Sequence, residues 1–598
     1  MDNIGIEQIR KANEVLQKYK TGKKNLENKI IENEQFWKKR QWESTANRRN
    51  TPSTSWLWNM IVSKHADMED SYPSPSFLAR AKDDEEEAKR LTSIVPVILE
   101  QNKFAEVYSD CAWYKLKQGA CCYGIFWDGQ KLNGLGDVSI CKIDLINLFW
   151  EPGITDIQKS KNIFHLELMD NELLEQIYPE TKGKLTNSAY NVKQYIYDDS
   201  VDNSDKSCVV DWYYKKYTDK GWQVHLCKFV DEILLFSSEN EAEKYPNGWY
   251  AHGKYPFVID CLYDIEGSIV GYGYTDICKD DQIQIDVMSD ALVKNTVLAS
   301  KKRFIIRSDG SINEREYADL TNDFVHCEGN TGEDSIRELS VNAISGNSIA
   351  MYQQKIAEMK DTTGNNDVST GTTPSGVTAA SAIAALQETA GKTSRDLIKN
   401  TYKAYKEIIY IVVDLIREYY DFDRQFRIIG DDGQNHYVNY SNSMLKPQEQ
   451  PSEFGIENSY RTPIFDIVVS PEKASAYSKM EQNELALNFY KMGFYSPQNT
   501  SQALACLEAM DFDTKEKTVE IISRNGTLFD KLQLYAQLAY TYAAKYDPNT
   551  AMQLEQDIAT LGITVGTGDM TDISFSENNN DARVERARKA AANVSQPR

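Results

Sequence analysis

The segment Ala390-Gly391-Lys392-Thr393-Ser394 has the Gly-Lys-Thr order that closes a phosphate-binding loop, where backbone amides wrap a phosphate and the lysine reaches its outer oxygens. That chemistry needs a second glycine five positions before Gly391, and the residue there is Leu386. The segment also falls inside a long helical pattern instead of at a strand-to-helix turn, so nucleotide binding is not expected. Gly271-Tyr-Gly273 is incomplete as a dinucleotide fingerprint, because Asp276 stands where the third glycine belongs. Asp431-Asp-Gly433 reads as a turn, lacking the spaced acidic ligands and closing glutamate of a calcium loop. The six histidines, at 65, 165, 225, 252, 326 and 436, form no His-x-x-x-His pair, and His165 and His225 sit in strand patterns as structural residues. Ten cysteines contain no Cys-x-x-Cys, only the adjacent Cys121 and Cys122, so zinc-ligand spacing is absent. The sequence therefore predicts no metal, no cofactor and no catalytic residue, and its information lies in the elements.

Those elements belong to a chain of 598 residues with 67 Lys+Arg against 89 Asp+Glu, a formal charge of -22. Such an excess of acid excludes a protein that grips nucleic acid over its whole surface; any contact has to be local. Hydrophobic residues at 41% and charged residues at 26% are ordinary globular usage, which excludes a disordered or collagenous chain. The longest apolar run, Ile408 to Val413, is too short to span a bilayer, and the polar start predicts a reducing, non-secreted setting with free thiols. Residues 1–50 are the exception in charge, with twelve basic and seven acidic side chains on one or two amphipathic helices. Two readings of this basic end stand side by side: a solvated helix face, or an arm that contacts phosphates.

Between about 115 and 265 the pattern turns to strands: 123–127 and 138–143 around Asp128-Gly129, then 163–168, 209–217, 222–229 and 233–236, with a short helix at 171–177. Tyr72-Pro-Ser-Pro75 reads as a turn and Asp83 to Glu87 as the start of a helix. A long helix follows Gly273 and runs to about Ser300, with a seam of Ile277, Asp281, Gln284, Met288, Ala291, Asn295 and Leu298 that mixes apolar with polar groups and suits a subunit interface. A compact piece with strand candidates 304–307 and 324–327 leads to a second helix at 343–361, stepping through Ile349, Tyr352, Ile356 and Met359. A Gly/Ser/Thr/Asn loop then precedes the longest helical pattern, 378–420. Strand candidates 426–429 and 464–469 come next, and the remainder is helical and alanine-rich before a polar tail.

This order resembles bacteriophage portal proteins, the head-to-tail connectors of tailed phages. The likeness is carried by Cys141-KIDLINLFWEPG-Ile154, by Gly271-YGYTDICKDDQIQIDVMSDALVKNTVLASKKRFII-Arg307 and by Thr373-PSGVTAASAIAALQETAGK-Thr393. Where many portals have Asp-Pro before the first aromatic run, this chain has Asp144-Leu145.

The resemblance implies an α+β, mainly helical fold of wing, stem, clip and crown. A basic helical segment would occupy 1–50, the wing 51–272, stem helices 273–300 and 343–361, and the clip 301–342 between them. A tunnel loop would fill 362–377, a long wing helix 378–420, wing strands 421–471, a helical crown 472–565 and a partly disordered tail 566–598. It further implies a homo-oligomeric ring of about twelve copies at one capsid vertex of the virion, made in the host cytoplasm, with no enzyme activity and no membrane. Double-stranded DNA would pass through it without sequence preference, and terminase, a head-tail adaptor, the major capsid protein and scaffolding protein would be its partners. Tight binding would brake the DNA, because every phosphate neutralised adds affinity. Asn365, Asn366, Ser369 and Thr370 of the loop are the candidates for weak phosphate contacts, and Lys294, Lys301, Lys302 and Arg303 for the few basic ones. For these cations a plain helix-end role is the other reading. The competing class is a helical scaffold or tail-associated protein that makes only protein contacts; a weaker one is an enzyme, which would show a deep pocket with convergent polar groups.

Overall fold

The computed structural model describes residues 3–43, 51–185, 205–219, 221–300, 303–306, 313–319, 321, 323–327, 336–339, 344–365, 392–429, 435–450, 459–471, 485–496, 500–508, 515–546, 550 and 552–554. Helix outweighs strand about two to one, so the class is α+β and mainly helical. The chain divides into two compact units, Met1–Lys473 and Ala474–Arg598.

The first unit opens with one helix, Ile6–Trp37, whose buried stripe repeats every three or four residues. Ile9, Leu16 and Tyr19 pack on Phe149, Phe164 and Phe229, while Ile30 and Phe36 join the main core. The basic end is thus not wholly solvated. Lys23 lies in the same stripe, donates to the carbonyls of Leu145, Ile146 and Leu148, and sits 4.3 Å from the Phe149 ring centre. Burial pulls its ammonium down to about 7.

Two antiparallel sheets follow. The order is Asp137–Ile143, Ala120–Asp128, Phe257–Cys261 in the smaller, and Leu148–Trp150, Asn162–Asp170, Lys206–Thr218, Gly221–Val230, Ile233–Ser237 in the larger. The expected strands fall inside these, and the turn before Gly221 sets a register that pairs Tyr217 with Trp222. Helices Phe104–Gln118 and Lys392–Tyr419 pack on the smaller sheet, with Trp56–Asp70 and Glu85–Gln101 against Phe104–Gln118, while the first helix lies on the larger. One buried ion pair ties these layers: Lys115 Nζ lies 2.6 Å from Asp260 Oδ1 and donates to Thr401 Oγ1 at 2.8 Å.

Two expectations are corrected. The Pro-Ser-Pro stretch is part of a strand, Pro73–Ala79, paired antiparallel with Phe465–Pro471. A proline costs a ladder amide, but among the described residues this strand has a neighbour on one side only, and Phe77 buries its ring edge-to-face on Phe465. After the long helix, the strand candidate at 324–327 is not a strand; Arg303–Ile306 pairs instead with Ile336–Leu339. There the His326 amide donates to Glu316 Oε2 at 2.8 Å, and Phe324 stays exposed.

In the second unit, helices Thr500–Glu508 and Lys515–Tyr546 pack through Ala503, Leu507 and Ile522, with Phe489 against them. Gly526 allows the approach, since a Cβ there would lie 2.6 Å from Thr500 Cγ2.

Candidate functional site

The two helices on either side of strands Arg303–Ile306 and Ile336–Leu339 are Tyr274–Ser300 and Gly346–Thr363, and they pack against each other. The first is held at its start by the first helix of the chain. Asp276 accepts from the Gly273 amide at 2.9 Å and from Asn33 Nδ2 at 3.0 Å, and pairs with Lys29 at 2.8 Å.

Three turns on, a polar clamp binds the same helix to Gln41, Trp42, Thr54 and Leu57. Asp286 is fully buried, and five neutral donors converge on it. Oδ1 accepts from the Thr54 amide (2.8 Å), Thr54 Oγ1 (2.8 Å) and Gln282 Nε2 (2.7 Å). Oδ2 accepts from Gln41 Nε2 (2.8 Å) and Trp42 Nε1 (3.1 Å). Gln282, four residues earlier and so on the same face, takes the Leu57 amide at 2.9 Å. Beyond Asp286 every residue to Ser300 is exposed or half-buried.

The buried face therefore runs through Tyr274, Cys278, Gln282, Ile285 and Asp286. The seam expected from the sequence lies beside it, and its Ile277, Gln284 and Ala291 remain exposed in the protomer. Gln282 and Asp286 escaped the sequence reading, because hydrophobic periodicity gives no weight to polar residues. Phasing the helix on Tyr274, Cys278 and Ile285 would have placed both inside.

The second helix packs on the first, with Lys355 reaching Asp281 at 3.5 Å; its Tyr352, Ile356 and Met359 join the main core, and Thr363 Oγ1 lies 3.3 Å from Met60 Sδ of helix Trp56–Asp70. Its opening residues, with Ile349 and Met351, are exposed. It begins at Gly346 and runs to Thr363, so Thr362 and Thr363 of the expected loop are helical. Gly364 closes it at φ +69, a left-handed cap that glycine adopts without strain. Asn365 then tucks under helix Trp56–Asp70: its Oδ1 accepts from Ser63 Oγ at 3.3 Å and its Nδ2 lies 3.4 Å from the Met60 carbonyl.

Among the candidates for DNA contact, Asn365 is thus buried at the root of the loop. Lys294 is exposed and paired with Asp290 one turn back, at 2.6 Å, so a phosphate would compete with a carboxylate. Arg303 opens the strand Arg303–Ile306. Asn366, Ser369, Thr370, Lys301 and Lys302 lie outside the described residues, as does most of the alanine-lined part of the long helix.

Two clefts of the first unit enclose about 630 and 620 Å³. One is lined by Asp156, Asp264, Glu266, Lys403 and Glu407, the other by Asp144, His165, Asp211 and Lys228. Burial pushes their thiols, Cys261 and Cys141, up to about 12 and about 11, so neither cleft offers a thiolate at neutral pH. Burial likewise lifts Asp144 to about 6 and lowers His165. No grouping of His, Cys, Asp or Glu able to hold a metal ion occurs among the described residues, and no described helix is long and apolar enough to cross a membrane.

A helix pair fixed at one end and bare at the other, with a small hairpin between, is a part made for assembly. The family comparison decides which assembly: the Phage P22-like portal protein family matches residues 24–561 of the 598. The chain belongs to that family. No curated protein matches it. Portal proteins are structural components of the phage capsid that serve DNA packaging, and the family implies a ring assembly at a capsid vertex.

Proposed function

We propose that this portal protein forms the ring through which double-stranded DNA enters and leaves the head, and that the ring is the docking platform for terminase and the head-tail adaptor. Helices Tyr274–Ser300 and Gly346–Thr363 are its stem, the hairpin between them its clip, and the residues after Asn365 its tunnel loop. The observation that carries this reading is the half-anchored helix pair. The Asp286 clamp and the Asn365 root hold one end, while Val293, Val297, Ile349 and Met351 stay exposed at the other. A lone protomer gains nothing from that exposure; a neighbouring copy covers it. The loop's length supports the gate role, since helix-to-helix links usually take about 2 to 8 residues.

The proposal is tested by replacing residues 366–372 with a short Gly-Ser link while keeping Asn365. Ring assembly is expected to persist, because neither helix face changes, and DNA-filled heads are expected to fall in yield or to leak. Rings that package and retain DNA like the parent would make the loop a mere spacer.

A further inference from the structure

The cleft of about 630 Å³ beside helix Lys392–Tyr419 runs along an unused strand edge. Phe257–Cys261 is an outer strand of the smaller sheet, and its register sets Cys121 opposite Asp260 and Tyr123 opposite Val258. The Ile125 amide donates to the Pro256 carbonyl at 2.8 Å, and the Leu262 amide to the Gly119 carbonyl at 2.9 Å. Antiparallel strands alternate bonded with non-bonded pairs, so the even-numbered residues from 256 to 262 face the sheet, and Phe257, Ile259, Cys261 and Tyr263 turn their backbone groups outward. That outward edge is taken at both ends. The Gln158 side chain accepts from the Tyr255 amide at 2.9 Å and donates to the Tyr255 and Phe257 carbonyls at 3.0 and 3.2 Å. At the other end the Tyr272 amide donates to the Tyr263 carbonyl at 3.0 Å. Between them Ile259 and Cys261 line the cleft half-buried, each with an N–H and a C=O that have no partner among the described residues. Carboxylates stand at each end of this gap. Asp156 lies two residues before Gln158, and the carboxyl of Glu407 is raised by partial burial in the cleft wall and by the charge of Asp156. Asp264 and Glu266 follow Tyr263. Among the described residues Asp264, Glu266 and Glu407 enter no ion pair, and Lys403 is the one cation of the lining.

We propose that this cleft receives an extended segment of a partner protein, basic at both ends, which adds to the gap as a short strand through Ile259 and Cys261. Strand addition meets both demands of the site. The incoming backbone supplies acceptors for the two N–H groups and donors for the two carbonyls, and its Lys or Arg side chains meet the carboxylates at each end. A polyamine carries no acceptor for the amides, and a nucleic acid would bring its phosphates against four carboxylates. The inference does not rest on the ring reading, because the whole gap belongs to one protomer.

The probe is a capped, fluorescent peptide, Lys-Arg-Val-Thr-Val-Arg-Lys, whose β-branched centre fits the gap and whose ends carry the cations. It is titrated into the full-length protein and read by anisotropy. Binding is expected, weakened at least about tenfold by Glu266→Lys combined with Glu407→Lys. Glu85→Lys combined with Glu100→Lys changes the net charge equally at exposed positions outside the cleft, and is expected to stay within about twofold of the parent. N-methylation of the three central peptide residues removes the strand donors and is expected to cost at least about tenfold. Full affinity after N-methylation, or displacement by spermidine at matched charge, overturns strand addition and leaves a plain cation site. No binding by the parent, or equal loss in the two double variants, overturns the cleft as the site. Binding by separated protomers but not by rings gives the edge to a neighbouring copy and overturns a separate partner.

Discussion

Replacing Asp286 tests whether helix Tyr274–Ser300 is positioned by its polar clamp. Asparagine keeps one carbonyl oxygen, so in its better orientation it serves the Thr54 and Gln282 donors and turns an amide N–H₂ toward Gln41 Nε2 and Trp42 Nε1. Gln41 has a second acceptor in Ser53 Oγ at 2.6 Å and can turn to it. The Trp42 indole, on a residue 8% exposed, has little access to water. A stranded buried donor costs about 1–3 kcal/mol, and the Thr54 and Gln282 bonds lose about 1 kcal/mol more with the charge of their acceptor, so Asp286→Asn should loosen the clamp by about 2–4 kcal/mol. Alanine, which removes all five acceptances, should cost about 4–6 kcal/mol. The readout is amide hydrogen exchange of the peptide over 51–57, where the Thr54 and Leu57 amides are held by Asp286 and Gln282. Through local opening, 2–4 kcal/mol corresponds to exchange faster by roughly 30- to 1,000-fold. Protection within about threefold of the parent would refute the reasoning, and would mean that packing alone seats the helix.

Asp144→Asn should stabilise the protein at pH 7 by about 1–3 kcal/mol. Burial raises this carboxyl from 3.8 to about 6, so the folded state holds its proton more tightly and the fold loses stability as pH rises through that interval. The amide keeps the acceptor for Ile146 N and Tyr114 Oη, and the gain should vanish below pH 4, as read by urea unfolding at both pH values. A variant less stable than the parent at pH 7 would count against it. Lys115→Met should cost about 3–5 kcal/mol by leaving Asp260 buried and uncompensated, and adding Asp260→Leu should recover at least half of the loss in thermal melts. Lys392→Ala should leave packaging unchanged, and nucleotide should not protect the 390–394 segment from exchange; ATP-dependent protection there would revive the phosphate-loop reading.

Local signals carried most of the strand order. Asn162–Asp170, Lys206–Thr218, Gly221–Val230 and Ile233–Ser237 alternate or run apolar between plain turn residues, and adjacent strands pair with each other. What escaped was set by distant partners. Pro73–Ala79 is a strand because residues almost four hundred positions away lie beside it. The partner of Arg303–Ile306 is 336–339, since Phe324 and Val325 are apolar but have nothing to pack on. On helix Tyr274–Ser300 the period was legible and the phase was not. Cys278 and Ile285 mark the buried face weakly, while its strongest contacts come from Gln282 and Asp286, which composition assigns to the surface. The basic end was half legible: its helix follows from Ile9, Leu16 and Ile30, whereas burial of Lys23 depends on carbonyls more than a hundred residues away.

The central claim is that copies close into a ring around a DNA channel. Single-particle imaging of the purified full-length protein tests it most directly. The account predicts particles near 0.8 MDa, about a dozen copies of the 68.2 kDa chain, with helices Tyr274–Ser300 and Gly346–Thr363 grouped around an axial opening. Monomers and dimers across a range of concentration and salt, or a ring whose opening is lined by other elements, would contradict it.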